Sequence, residues 1–151
     1  MSERVERKER FKITPSVYLI LERKGKVLLM QRRNTGYEDG NYGLPSGHKE
    51  SGEYPSEAMK REALEEIGVS IHTSNLECVH TMLRIRDVDS ERVDLFFVSR
   101  EWGGQPTNKE PEKCSHMEWF PLADLPDNTI PYIRQALLYW RDGIKYSEFG
   151  K

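Results

Sequence analysis

Apolar and polar residues form blocks along the N-terminal part of the chain. The runs 17–21 and 27–30 are apolar and typical of strands, and the polar segment 22–26 between them predicts a hairpin turn. Residues 1–10 alternate charge signs without apolar anchors, which predicts a solvated lead-in. The remainder, 11–151, has the length of one domain.

The next blocks predict a loop followed by a helix. Residues 34–47 hold four glycines and a proline, which predicts a long loop with a short extended piece at 42–44. A helix is predicted from Pro55, which suits the first helical position, to Ile67, because Gly68 suits a C-terminal stop.

The pattern in the C-terminal half of the sequence predicts several further strands and one helix. Long strands are predicted at 76–86 and 92–100 around a polar turn at 87–91, then a loop at 102–113. A short strand at 117–121 and a helix at 130–140 follow, and the tail shows no clear pattern. Strands and helices without strict alternation predict an α+β fold with a mixed or antiparallel sheet.

The helix at 55–67 carries three carboxylates on one face: Glu62, Glu65 and Glu66. Met59, Ala63, Leu64 and Ile67 are expected to face the core, with the small Ala58 among the carboxylates. A solvated acidic face is the ordinary interpretation of such a pattern. However, like charges at this spacing repel, and the C-terminal end of a helix disfavours negative charge. Bound divalent cations would remove both penalties, because hard cations prefer carboxylate oxygens.

Residues 47–69, GHKESGEYPSEAMKREALEEIGV, resemble the Nudix box, G-x5-E-x7-R-E-U-x-E-E-x-G-U with U apolar. The seven fixed matches are Gly47, Glu53, Arg61, Glu62, Glu65, Glu66 and Gly68, with Ala63 and Val69 in the apolar slots. The resemblance extends over roughly residues 12–140. It implies a Nudix fold, with a mixed central sheet sandwiched between helices, and a Mg²⁺- or Mn²⁺-dependent hydrolase of pyrophosphate bonds.

The resemblance also implies roles for individual residues. Glu62, Glu65 and Glu66 would be catalytic and hold the metal ions, with Glu62 a candidate for activating water. Ser46 stands where the family usually has glycine and would offer its backbone carbonyl to a metal. Glu53 and Arg61 would form a structural brace between loop and helix.

Residues outside the box supply further candidates. Family members commonly add an acidic metal ligand from a later loop, here Glu110 or Glu112, with Glu110 preferred; a solvated loop acid is the alternative. Arg32 and Arg33 border the glycine-rich loop and could clamp phosphate, or could simply be solvated. Trp119 could stack on a base, although core packing is the commoner role of such a residue.

Composition limits the partners. The charges, 23 basic and 25 acidic, nearly cancel, so nothing indicates binding to nucleic acid or to a membrane surface. The polar N-terminus and the absence of a long apolar run predict a cytoplasmic protein without a membrane span. Cys78 and Cys114 suit free thiols. The partner is expected to be a small nucleotide, and a homodimer is left open.

Three functions compete at this point. The first is a hydrolase of a small nucleoside diphosphate-linked substrate, foremost a (d)NTP or modified NTP giving NMP and pyrophosphate. Family marks for ADP-ribose, dinucleoside polyphosphate and NADH substrates are missing outside the box. The alternatives are a non-catalytic nucleotide-binding sensor on the same fold and an isomerase of isoprenyl diphosphates. A sensor is expected to lose box glutamates, and an isomerase to need a longer chain.

Overall fold

The computed structural model describes residues 9–87 and 90–150. Its strands are β1 (Thr14–Arg23), β2 (Lys26–Arg32), β3 (Tyr42–Gly43), β4 (Ser46–His48), β5 (Glu77–Asp87), β6 (Ser90–Ser99), β7 (Cys114–Pro121) and β8 (Tyr146–Gly150). Its helices are α1 (Pro55–Ile67) and α2 (Pro131–Arg141), and a 3₁₀ turn covers Thr73–Asn75. Residues 1–8 of the predicted lead-in lie outside the described residues. Positions 88 and 89 of the predicted turn also lie outside them.

The eight strands form one branched mixed sheet with β1 at its centre. β1 pairs with β6 in parallel along most of its length and with β2 only at the hairpin end. Where β2 has separated, β4 pairs antiparallel with residues 16–18 of β1. β2 carries β3 and β7 on its own edges, so the sheet opens into two leaves. The predicted mixed sheet is confirmed.

Two apolar clusters pack against opposite faces of β1, because alternate strand residues point to opposite sides. Val17, Leu19 and Leu21 belong to the cluster that α1 covers. Tyr18 and Ile20 belong to the cluster that α2 covers. The sheet therefore lies between two helices, as predicted. Among the described residues, no helix has both the length and the apolar character needed to cross a membrane.

The prediction for α1 is confirmed in its bounds but wrong for one side chain. Leu64, expected in the core, is 58% exposed, whereas Ala58 is fully buried with Met59, Ala63 and Ile67. At about 100° per residue, Glu62 and Glu66 fall between Ala58 and Met59 around the helix. The carboxylates therefore project from the buried side of α1, and Leu64 lies opposite.

Two strands were not predicted from the sequence. β4 lies at the end of the glycine-rich segment assigned to a loop, and β8 lies in the tail that showed no pattern. β8 pairs in parallel with β5, and Ser147 in it hydrogen-bonds to Nε2 of the buried His80 at 2.7 Å. Such short strands gain their order from partners distant in sequence rather than from local pattern.

Candidate active site

A cavity of about 570 Å³ opens on the face of β1, β4, β5 and β6 that also carries Tyr18. Its acidic lining residues are Glu66 and Glu110. Its basic lining residues are Arg32, Arg84, Arg86, Arg92 and Lys113. The cavity is thus acidic at the wall next to α1 and basic elsewhere, an arrangement suited to a polyanion that also needs cations.

Glu66 lies at the acidic wall, held by the start of β4. Its Oε2 accepts a hydrogen bond from the Ser46 backbone N–H at 2.9 Å. Burial raises the pKa of Glu66 to about 8; the negative charges of Glu62 and Glu110 add to this, and the Ser46 N–H opposes it. A nearby positive charge would favour the ionised form of a carboxylate in these surroundings.

Gly47 brings β4 unusually close to Glu62. A Cβ atom at this position would lie 2.2 Å from Cδ of Glu62, so only glycine admits the carboxylate here. Burial raises the pKa of Glu62 as well, while Arg61 lowers it. The first glycine of the motif therefore makes room for a catalytic candidate rather than shaping a turn.

Arg61 connects the loop before α1 to the helix. Its Nη2 and Nε donate to Oε1 and Oε2 of Glu53 at 2.7 and 3.3 Å, and its Nη2 also donates to the carbonyl oxygen of His48 at 3.3 Å. Its Nη1 donates to Oε1 of Glu62 at 2.8 Å. The Arg61 hydrogen bond holds the pKa of Glu53 below its usual range. The structure thus brings the two residues of the expected brace together, and Arg61 also contacts Glu62.

Glu110 reaches the same wall because the loop before β7 closes over the C-terminal end of α1. The backbone N–H groups of Thr107 and Lys109 donate to the carbonyl oxygens of Ile67 and Glu66 at 2.9 and 3.1 Å. These carbonyls have no partner inside the helix, so the loop satisfies them. Glu110 follows directly and contributes to the raised pKa of both Glu62 and Glu66. Glu112, the alternative, does not line the cavity.

Of the remaining candidates from the sequence, Arg32 lines the cavity, whereas Arg33 and Trp119 do not. Arg32 lines the cavity, and its Nε donates to the Tyr37 carbonyl at 2.8 Å. Arg33 instead donates to the Pro111 carbonyl outside the cavity lining. Trp119 stacks on Trp102 with ring centroids 6.0 Å apart. It pairs with Leu28, two residues before the cavity-lining Met30, and does not itself line the cavity.

The basic part of the cavity was missed by the sequence analysis. Arg84 and Arg86 follow His80 and Met82 at every second position of β5, on the face that packs on the core around Tyr18. Arg92 pairs with Arg84 across the β5–β6 ladder. An arginine at a strand position where the alternation predicts a buried apolar residue would have indicated this group, because a buried charge needs a specific partner.

The donors at the acidic wall fit a hard divalent cation. Within the described residues, no three His, Cys, Asp or Glu side chains form a ready-made metal site, because Glu62 is turned to Arg61 and Glu66 to the Ser46 N–H. Nevertheless Glu110 is close enough to contribute to the raised pKa of both Glu62 and Glu66, and Glu62 to that of Glu66. Carboxylate oxygens are the ligands that Mg²⁺ and Mn²⁺ prefer. Glu65 lies at the exposed edge of this group, with its Oε2 atom 3.8 Å from Nη1 of Arg61.

The fold and this site define a class of protein. The model of the NUDIX domain family matches residues 11–140, so the chain belongs to this family. It is a Nudix hydrolase, an enzyme that acts on pyrophosphate bonds.

The individual proteins that resemble this chain are named as Nudix hydrolases or as a pyrophosphatase. The chain is 29% identical over 141 residues to an ADP-ribose pyrophosphatase of Methanocaldococcus jannaschii, covering 91% of this chain and 81% of the relative. It is 31% identical over 109 residues to the uncharacterized Nudix hydrolase YvcI of Bacillus subtilis, covering 70% of this chain and 65% of that protein. A MutT Nudix hydrolase crystal structure from Burkholderia pseudomallei superposes with a TM-score of 0.77 at 26% identity, covering 84% of this chain and 97% of the other.

Proposed function

We propose that this Nudix hydrolase uses Mg²⁺ or Mn²⁺ to cleave the pyrophosphate bond of a small nucleoside diphosphate-linked substrate. The observation that carries the proposal is the shared wall of Glu62, Glu66 and Glu110 beside a cavity that is otherwise basic. A phosphoric anhydride resists attack because its anionic oxygens repel the nucleophile. The chemistry that a divalent cation supplies, when bound, is neutralisation of those oxygens and activation of water.

The residues of this chain have distinct tasks in the proposed reaction. Glu62, Glu65, Glu66, Glu110 and the Ser46 carbonyl would hold the cations. Glu62 would accept the proton of the attacking water, since its carboxylate lies against Gly47 at the acidic wall and a positioned carboxylate is a suitable general base. Arg61 orients the Glu62 carboxylate through their 2.8 Å hydrogen bond. Arg32 would bind phosphate oxygens at the cavity wall.

Two substrate classes fit this chemistry. A (d)NTP or modified NTP giving NMP and pyrophosphate agrees with the missing marks of other family branches. A nucleoside diphosphate joined to a second sugar is favoured by the basic, extended cavity, and the archaeal relative is named an ADP-ribose pyrophosphatase. A sensor without turnover is disfavoured because the box keeps its full set of carboxylates.

The test is hydrolysis of a panel of (d)NTPs, ADP-ribose and related compounds with Mg²⁺, Mn²⁺ or excess EDTA, followed by chromatography of the products. We expect NMP release only with metal and a large loss in Glu66→Gln. Glu77→Gln, an exposed carboxylate at the start of β5, serves as the matched control and should behave as wild type. Equal hydrolysis in EDTA would refute the metal mechanism, and tight binding of nucleotides without turnover would favour the sensor.

A further inference from the structure

Three arginine side chains lie on the part of the cavity wall formed by β5 and β6. Arg84 and Arg86 come from β5 and Arg92 from β6. The residues assigned to the pyrophosphate chemistry lie on β2, β4, α1 and the loop before β7 instead. The three arginines therefore form a separate group, which the proposed mechanism does not use.

Arg84 is fixed in place by the protein. Its Nε donates to Oδ2 of the fully buried Asp94 at 2.7 Å, and its Nη2 donates to the Tyr18 hydroxyl at 3.2 Å. Its guanidinium carbon lies 3.8 Å from the centroid of the Tyr132 ring. A buried guanidinium held on three sides is preorganised, so it loses little freedom when a ligand binds. Nη1 has no hydrogen-bond partner among the described residues and is the donor left for the cavity.

Arg86 and Arg92 add further positive charge to this wall. Within the part of the chain that the structure describes, neither forms an ion pair with Asp or Glu. Arg86 lies over the Tyr37 ring at 4.4 Å, and Nη1 of Arg92 contacts Nε2 of His48 at 2.7 Å. Both partners are neutral in this arrangement, because a histidine nitrogen that accepts from a guanidinium carries no proton. With Asp94 offset by Arg84, this wall keeps an excess of positive charge.

Arg84 is too far from the acidic wall to bind the same phosphates. Three interstrand spacings across β4-β1-β6-β5 separate Ser46 from His80, and Arg84 lies four residues further along β5, so the backbones of Ser46 and Arg84 are about 19 Å apart. Arg92 lies between them on β6, where its guanidinium contacts His48. Long side chains reach in from both ends, so the remaining gap suits a nucleoside or sugar between two anionic groups. Guanidinium groups match phosphate oxygens in pairs, whereas the edge of a neutral base would require acceptors as well as donors.

We propose that the substrate carries a second phosphate, separated by one sugar from the pyrophosphate that is cleaved, and that Arg84, Arg86 and Arg92 bind it. This rests on the proposed function, because it assumes that the pyrophosphate lies at the acidic wall. The chemical class is a nucleoside diphosphate derivative phosphorylated on its ribose. Arg86 and Arg92 determine the specificity, and Asp94 is a positioning residue that acts through Arg84.

The test compares ligands that differ by one phosphate. Calorimetry in Mg²⁺ measures the dissociation constants of AMP, adenosine 2′,5′-bisphosphate and adenosine 3′,5′-bisphosphate. A competition assay measures the ratio of kcat/KM for ADP-ribose and its 2′-phosphate. Because hydrogen bonds to charged groups contribute about 10-fold or more to affinity, we expect at least one bisphosphate to bind tighter than AMP by that factor.

Variants assign the preference to the arginines. In Arg86→Gln and Arg92→Gln the preference for the bisphosphate should fall about 10-fold, while AMP binding stays as in wild type. Arg141→Gln removes an exposed guanidinium paired with Asp142 outside the cavity and should keep the wild-type preference. Equal binding of AMP and both bisphosphates, or a preference that survives in both arginine variants, would overturn the proposal. Failure of the proposed function would appear separately, as absence of hydrolysis across the panel, because the calorimetric comparison needs no turnover.

Discussion

Removing Arg61 tests whether the brace before α1 is structural while the carboxylates beside it are functional. Arg61→Ala deletes two hydrogen bonds to Glu53, one to Glu62 and one to the His48 carbonyl. The carboxylates that lose their partner are mostly shielded from water: the side chain of Glu53 is 17% exposed and that of Glu62 is 14% exposed. The variant therefore leaves poorly solvated negative charge behind.

The size of the effect follows from this burial. Breaking a buried pair costs about 3–5 kcal/mol, and an exposed pair contributes about 0–1 kcal/mol. The side chains here lie between these limits, so we expect a loss of about 2–3 kcal/mol. For a chain of this size that lowers Tm by about 4–12 °C. Metal affinity should fall as well, because the β4 backbone that presents Ser46 and Gly47 loosens.

Glu66→Gln should give the opposite pattern. Glutamine can still accept the Ser46 N–H, and the change removes a carboxylate whose pKa burial raises to about 8. The metal-free variant should therefore be as stable as wild type or more so, while the stabilisation by Mg²⁺ is lost.

Thermal unfolding of both variants in EDTA and in Mg²⁺ measures these effects. Arg141→Ala is the control for loss of an arginine, because its pair with Asp142 is about half exposed on both sides and its removal should leave Tm close to that of wild type. If Glu66→Gln destabilises the metal-free protein more than Arg61→Ala does, the carboxylate face is structural and the assigned roles are wrong.

Three further predictions concern the same wall. Glu62→Gln should lower kcat by about 10²–10⁴-fold in steady-state assays with the fold retained, and a wild-type kcat would exclude Glu62 as the base. Gly47→Ala should also abolish most activity while circular dichroism stays native, because the new Cβ displaces the Glu62 carboxylate; full activity would contradict the close approach. In EDTA, the Tm advantage of Glu66→Gln over wild type should grow as pH rises from about 5 to 9. Because the pKa of Glu66 is about 8 in the folded protein and 4.5 ordinarily, protonation of Glu66 contributes its full stability below pH 4.5. This contribution is lost as the pH rises through about 8, so a Tm difference that does not change with pH would refute the raised pKa.

The sequence by itself determined the local elements that hold the motif. The bounds of α1 follow from Pro55 at its start and from Gly68 at its end, where φ is +68°. Tyr54, a poor N-cap by residue type, is compensated by the Glu57 side chain, which accepts its backbone N–H at 3.0 Å. The helical spacing of Glu62 and Glu66 puts these carboxylates on one face, and the resemblance to the Nudix box implies the brace of Glu53 and Arg61. Both sets of contacts span a single loop and helix.

Only the tertiary structure decided which other residues join that wall. The sequence left both Glu110 and Glu112 as candidates, with Glu110 preferred; hydrogen bonds from the loop to the last carbonyls of α1 bring Glu110 to Glu66. Arg32 and Arg33 are adjacent, yet only Arg32 lines the cavity, and strand register removes Trp119 from it. Arg84 and Arg92 lie next to each other through β5–β6 pairing and reach the cavity through a β1–β6 ladder between strands more than 70 residues apart. Such contacts depend on long-range register, which periodicity along a single chain does not encode.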